Sequence, residues 1–198
     1  LHKSRNIFDC FSVKIHDRIK TQKEIQSVDR IEIKRKITGV TTMIWEQLNQ
    51  SLIFPGMDAA DSADVMRQVG GAMTREGYAK DTYVQALNDR ERDYPTGLDV
   101  DGYGVAIPHT SVEHVHKPGI AIAALNKPVT FTQMGSDDET IGVRLVFMLA
   151  VVDPNKHIDE LQRILEIIQD TAVLDKLLVA ESAEEIINII KMKEKILS

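Results

Sequence analysis

Two histidines and one arginine sit where side chains can do nucleophilic chemistry on an anion. His109 follows Pro108 at the end of a short apolar run, residues 104–107. The proline fixes φ and cuts the strand short, which pins His109 at a strand terminus. His157 falls in the first turn of a helix expected to start at Asp153-Pro154; aspartate is a good N-cap and proline a good first residue. Strand ends and helix N-termini are where open α/β sheets gather ligands, and a helix N-terminus favours a bound anion. Unperturbed imidazole titrates near about pH 6.5, so much of it is neutral and nucleophilic at neutral pH. Such a ring can attack phosphorus and become a phosphohistidine. The group it takes on carries roughly −1.5 to −2 charges, by analogy with phosphorylated hydroxyls. That charge needs a donor beside it. Arg90, at the end of the helix before the loop that leads to His109, is the candidate.

Other readings of the same residues stand beside this one. A strand-end histidine can be an ordinary hydrogen-bonded surface residue. Arg90 lies in the run Asp89-Arg90-Glu91-Arg92-Asp93, which also reads as a solvated helix end with weak ion pairs. His109, His114 and His116 invite a metal reading, with His114 and His116 on one face of a strand. Only Glu113 adds a carboxylate there, and no cysteine is near. Asp137-Asp138-Glu139 lacks calcium-loop spacing and reads as a solvated loop. The glycine patterns of phosphate loops and dinucleotide folds are absent. No metal and no cofactor are expected.

The elements that must position these residues alternate between helix and strand. Residues 62–76 read as a helix capped by Ser62, with Val65, Val69 and Met73 on one face. Gly70-Gly71 weakens it unless a close neighbour needs the space, and Gly77 ends it. Asp81 is expected to cap a second helix that ends near Arg92, before Pro95. Residues 95–102 read as a loop, 104–107 as a strand, 119–125 as a strand, and 126–128 as a turn leading into 129–131. The continuous apolar stretch from 145 within 143–152 has the signature of a central strand buried on both faces. Beyond it, Ile158, Leu161, Leu165 and Ile168 mark the inner face of the helix that carries His157. Two more helices follow at 171–180 and 182–197, the second with Ser182 and Glu185 as a capping box. The fold class is therefore α/β, a mixed β-sheet flanked by helices on both faces, an α/β sandwich.

Composition limits the possible partners. The 198 residues carry 24 Lys+Arg and 30 Asp+Glu, a net charge of −6. This argues against a general nucleic-acid binder, which needs clustered cations. The charge is uneven: residues 1–42 are net +5 and residues 43–198 net −11. Residues 1–42 also lack sustained periodicity and are expected to be a non-native or poorly ordered extension, since Met43 could serve as a translation start. Residues 43–198 are then the functional domain. Cys10 is the single cysteine, which fits a reducing compartment and a cytoplasmic location. The longest apolar run, 145–152, is far short of the roughly 20 residues a membrane helix needs. Residues 1–9 contain no apolar stretch of the signal-peptide kind.

Three segments, in order, resemble one family. Gly104-Val105-Ala106-Ile107-Pro108-His109 is similar to the active-site signature of the type 2 enzyme IIA domains, the fructose–mannitol type, of the bacterial phosphoenolpyruvate-dependent sugar phosphotransferase system. Arg90-Glu91 followed by Pro95-Thr96-Gly97 resembles the family's upstream segment. His157 stands 48 residues beyond His109, about the separation the family keeps. The Pro95-Thr96-Gly97-Leu98 segment and the long loop before Gly104 look most like the galactitol-type IIA proteins.

The resemblance implies roles. His109 would accept a phosphoryl group, as a tele-phosphohistidine, from the histidine-containing phosphocarrier protein and pass it to a cysteine of a cognate IIB protein or domain. His157 would stabilise that group and Arg90 would neutralise its charge. Thr110 stands where the family usually has a small residue, often glycine; its hydroxyl could donate to a phosphoryl oxygen, or its β-branch could crowd the site. The implied protein is a free-standing phosphotransferase subunit for uptake of a sugar or sugar alcohol. It would be associated only indirectly with a IIC permease. The alternative is a regulatory phosphorylation relay that acts by binding other proteins. Val105, Val112, Val115 and Met134 are expected to supply the apolar centre of a transient docking surface.

Overall fold

The computed structural model describes residues 43–136 and 138–197, with the side chains of 154–160 outside that description. The expectations for residues 1–42, for Asp137 and for the side chains of His157 and Ile158 fall outside the described residues.

The described chain runs α1 (Ile44–Gln47), β1 (Leu48–Met57), α2 (Ser62–Val65), a π turn (Met66–Gly70), α3 (Gly71–Arg75), α4 (Tyr83–Asp93), β2 (Gly97–Val100) and β3 (Tyr103–Ala106). A short 3-10 turn (Val112–His114) precedes β4 (Gly119–Thr132), β5 (Thr140–Ala150), α5 (Pro154–Ile168), α6 (Thr171–Val179) and α7 (Ala183–Leu197). The five strands form one mixed sheet in the order β1-β4-β5-β3-β2. The β1–β4 and β3–β5 pairs are parallel; the β4–β5 and β2–β3 pairs are antiparallel.

The apolar stretch expected at the centre is there: β5 is the middle strand, and Leu145 to Ala150 are all buried. On one face Ala121, Ala123, Val146 and Met148 pack with Val65, Met66, Val69, Met73, Tyr83 and Leu87 from α2–α4. Ile120, Ile122, Leu145 and Phe147 alternate with them along the strands and are also buried. α6 lies against β1, β4 and β5, and α7 against β1. Helices thus cover both faces, which is why residues 119–125 of β4 and 145–150 of β5 can be apolar throughout.

Several local expectations need correction. Residues 95–102 are not a plain loop: β2 and β3 form a hairpin whose two-residue turn is Asp101-Gly102, at φ 50° and 91°. That handedness matches strand twist, and an Asp-Gly pair adopts it at little cost. Residues 126–128 are not a turn between strands but part of β4, where the pairing with β5 slips between Ala124 and Val129. Arg144 covers the slip by donating Nε–H and Nη2–H to the Leu125 carbonyl (3.2 and 3.1 Å). Asp61, not Ser62, caps α2 by accepting from Asp64 N–H at 2.8 Å. Thr82, not Asp81, is the N-cap of α4. At α7 the Glu185 N–H donates to Ser182 Oγ as expected, but the Glu185 carboxylate takes the Glu181 N–H, one residue earlier than a capping box requires.

The space expected beside Gly70 is used. A Cβ there would lie 3.1 Å from Leu87 and 3.3 Å from Val84, so the glycine lets α4 settle against the π turn. No helix among the described residues is long and apolar enough to cross a membrane.

Candidate functional site

His109 is placed by the strand pair β3–β5. Gly104 starts that placement, because a Cβ at this position would stand 2.0 Å from the Gly142 carbonyl oxygen. Only glycine lets the two backbones approach this closely. Past β3 the chain keeps to β5: Leu149 N–H donates to Pro108 O at 2.9 Å, and His109 forms a parallel bridge with Leu149. The proline ends the regular strand but leaves its carbonyl in the ladder.

The histidine ring is buried, 6 % exposed, and both nitrogens are engaged. Nδ1 lies 2.9 Å from the Ile107 carbonyl oxygen and Nε2 lies 3.2 Å from Arg90 Nη2. A carbonyl only accepts and a guanidinium only donates. Nδ1 therefore carries the proton and Nε2 carries the lone pair. Thr110 follows directly and is buried too, at 5 % exposed.

Arg90 reaches the ring from α4. The first residue of that helix is tied to the same strand: Tyr83 Oη donates to the Leu149 carbonyl at 2.7 Å. Burial pushes the Tyr83 phenol far above its usual range, so it stays a neutral donor. Arg90 comes two turns later, with its Cζ 5.2 Å from the centre of the Tyr94 ring. The solvated reading fits its neighbour instead: exposed Arg92 pairs with Asp89 and Asp93 at 3.2 and 3.5 Å.

Glu91, the next residue, turns the other way. Its Oε1 accepts from Thr96 N–H (3.0 Å) and its Oε2 from the Thr96 hydroxyl (2.7 Å). Burial raises the Glu91 carboxyl above the ordinary range, and the Thr96 bonds and the Arg90 charge oppose that rise. The Thr96 carbonyl in turn accepts from Ile107 N–H at 3.4 Å.

The structure thus brings Arg90 and His109 together across 19 residues of sequence. His157 lies on α5, which begins at Pro154, four residues beyond the end of β5. Spacing alone did not reveal Glu91, Thr96, Tyr83 or the Ile107 carbonyl. The one signal was that Glu91 and Thr96 belong to segments already quoted for their resemblance.

The metal and docking expectations meet different geometry. His114 ends a 3-10 turn, not a strand, and its Nδ1 lies 2.8 Å from Thr82 Oγ1. Among the described residues no three His, Cys, Asp or Glu side chains gather as a metal site. Val105, Val115 and Met134 are core residues, at 0, 7 and 3 % exposed, so only Val112 (36 %) of the expected apolar set reaches the surface. Val152, three residues past Leu149, is an exposed apolar residue that the expected set lacked, at 43 %.

Comparison with known proteins gives this site its setting. The chain is 29 % identical over 123 residues to the galactitol-specific EIIA component of the phosphotransferase system of Escherichia coli (strain K12), covering 62 % of this chain and 81 % of that one. It is 31 % identical over 147 residues to the mannitol-specific EIICBA component of the same organism, covering 73 % of this chain and 22 % of that longer one. Among solved structures, the complex of IIAMTL with phosphorylated IIBMTL from Escherichia coli superposes with a TM-score of 0.62 at 28 % identity, over 73 % of this chain and 97 % of that one. Residues 46–193 match the family model described as phosphoenolpyruvate-dependent sugar phosphotransferase system, EIIA 2. With that match spanning the strands, the Arg90–His109 pair and α5, the chain belongs to the type 2 EIIA family of the sugar phosphotransferase system.

Proposed function

We propose that this chain is a cytoplasmic IIA phosphocarrier that takes a phosphoryl group onto His109 and hands it to a IIB cysteine. The observation that carries the reading is the pair of contacts on the ring: Nδ1 lies against the Ile107 carbonyl, which only accepts, and Nε2 against the Arg90 guanidinium, which only donates. In the first step that lone pair attacks phosphorus on the phosphohistidine of the histidine-containing phosphocarrier protein. The phosphorus–nitrogen bond on the donor breaks, and its electron pair leaves with the donor imidazole. His109 then carries substituents on both nitrogens and is cationic, which makes it a good leaving group. The Ile107 carbonyl stabilises that cation through the bond it already makes. In the second step a cysteine thiolate of IIB attacks phosphorus, the bond to Nε2 breaks, and the electron pair returns to Nε2. The proton on Nδ1 stays in place throughout.

Arg90 offsets the phosphoryl charge at the point of transfer. His157 is assigned to stabilise the phosphoryl group, supported by its position in the first turn of α5. Thr110 is assigned a hydrogen bond to a phosphoryl oxygen, supported by its place beside His109. The IIAMTL–IIBMTL complex supports IIB as the onward partner. Exposed Val112 and Val152 support an apolar contact beside His109, at the scale of a transient interface. The galactitol-specific relative supports a sugar alcohol as the transported substrate, at the far end of the relay from this chain.

The test is incubation with phosphoenolpyruvate, enzyme I and the phosphocarrier protein. We expect one acid-labile, alkali-stable phosphate per chain, lost in His109→Ala. Full labelling of that variant would overturn the assignment.

A further inference from the structure

We infer that Glu91 is a positioning residue for His109: its carboxylate, clamped on Thr96, holds the Ile107 carbonyl where it captures the His109 Nδ1 proton. The inference rests on reading His109 as the phosphoryl acceptor, and it gives Glu91 and Thr96 a role in that site that the resemblance of their segment does not assign.

Three contacts carry it. Both Glu91 oxygens are spent on one residue, Thr96, through its N–H and its hydroxyl. Thr96 is 2 % exposed and begins the turn into β2. Its carbonyl accepts the Ile107 N–H, and the Ile107 carbonyl accepts the His109 ring. A partly buried carboxylate is costly unless hydrogen-bonded, and here both of its bonds fasten the residue that sets Ile107.

One helix turn therefore governs both ring nitrogens. Arg90 acts on Nε2 directly, and Glu91 acts on Nδ1 through Thr96 and Ile107. If the clamp loosens, the Ile107 carbonyl no longer selects the Nδ1–H tautomer. Nε2 then carries the proton part of the time, and a protonated Nε2 has no lone pair for phosphorus.

The experiment compares Glu91→Gln, Thr96→Val and Thr96→Ser with the wild-type chain at pH 7.5. Ring 15N shifts of His109 report the tautomer in the unphosphorylated protein. Quenched-flow labelling from the phosphocarrier protein reports the transfer rate. We expect a wild-type ring with a protonated Nδ1 and a bare Nε2. Glu91→Gln and Thr96→Val should move both shifts toward tautomer averaging and slow acceptance by about tenfold, the effect of one good hydrogen bond. Thr96→Ser keeps the hydroxyl and should restore both readouts, which a general loss of packing would not. If Glu91→Gln does not fold, the Thr96 pair decides the matter. Wild-type shifts with rates within twofold in folded Glu91→Gln and Thr96→Val would overturn the inference. A wild-type chain that takes no phosphate would instead remove the acceptor reading, and the ring shifts would still test the clamp.

Discussion

Replacing Arg90 by alanine removes a cationic contact to the reactive nitrogen. Arg90 Nη2 stands 3.2 Å from His109 Nε2, so phosphoryl oxygens bonded at that nitrogen would lie within about 4 Å of the guanidinium. Two unit charges at that distance attract by about 4 kcal/mol at the effective dielectric of a protein surface. Arg90 is only half-buried, and solvent and reorganisation reduce the net value to about 1.5–3 kcal/mol, as for hydrogen bonds to charged groups. That range corresponds to a loss of about 10- to 150-fold in the rate of phosphoryl acceptance. Losing the stacking on Tyr94 should cost stability by about 0.5–1 kcal/mol, too little to unfold the domain. The assay is quenched-flow labelling from the phosphorylated phosphocarrier at saturating concentration, with circular dichroism as the fold control. Arg90→Lys keeps the charge but not the planar fork, and should fall between. A folded Arg90→Ala that accepts phosphate within twofold of wild type would refute the electrostatic role.

Gly104→Ala should be strongly destabilising. Its Cβ would meet Gly142 O at 2.0 Å, backbone that cannot swing aside; we expect a loss of about 2–4 kcal/mol from overpacking and broken β3–β5 bonds, read from the urea midpoint. The raised Glu91 carboxyl sets a pH dependence. The folded state holds its proton more tightly than the unfolded state, so its contribution to stability is greatest at low pH. That contribution falls as pH rises from the ordinary value of 4.5 to the raised one, then levels off. Thermal melts should therefore show Glu91→Gln gaining on wild type across that window, and parallel curves would contradict the burial of the charge. Val152→Asp, combined with Val112→Asp, should raise the apparent KM for IIB severalfold and leave acceptance of label by His109 at saturating donor unchanged. An unchanged KM would remove both residues from the docking surface.

The sequence made the central parts of the fold readable and hid the edges. β5 was legible because a strand covered on both faces has no reason to alternate polar and apolar residues. β1 was not, because Asn49, Gln50, Ser51, Pro55 and Gly56 interrupt its pattern. It tolerates them as an edge strand, where a proline need not donate to the ladder. β2 is also an edge strand, four residues long, and its turn-rich composition masked a hairpin. Asn126-Lys127-Pro128 read as a turn because the pairing does break there, although the strand continues through the slip. The capping errors have a tertiary cause at α4, where the Thr82 hydroxyl meets the His114 ring.

For the site, the Pro108-His109 strand end announced His109 and helix placement pointed to Arg90, but nothing local announced Glu91, Thr96 or the Ile107 carbonyl as partners. Arg90 looked like Arg92 in sequence, and only the docking of α4 on Leu149 separates them. The Glu91–Thr96 clamp is a contact over five residues, yet its consequence runs through Ile107 to the ring. Periodicity cannot report such a chain of contacts.

The most direct measurement is the site of phosphorylation itself. The chain, labelled with 15N in its histidine rings, is phosphorylated through the phosphocarrier protein and examined by 31P–15N correlation at alkaline pH. We expect a single phosphorus–nitrogen coupling, to Nε2 of His109, with Nδ1 still bonded to hydrogen. Coupling to Nδ1, or to the ring of any other histidine, would contradict the central claim.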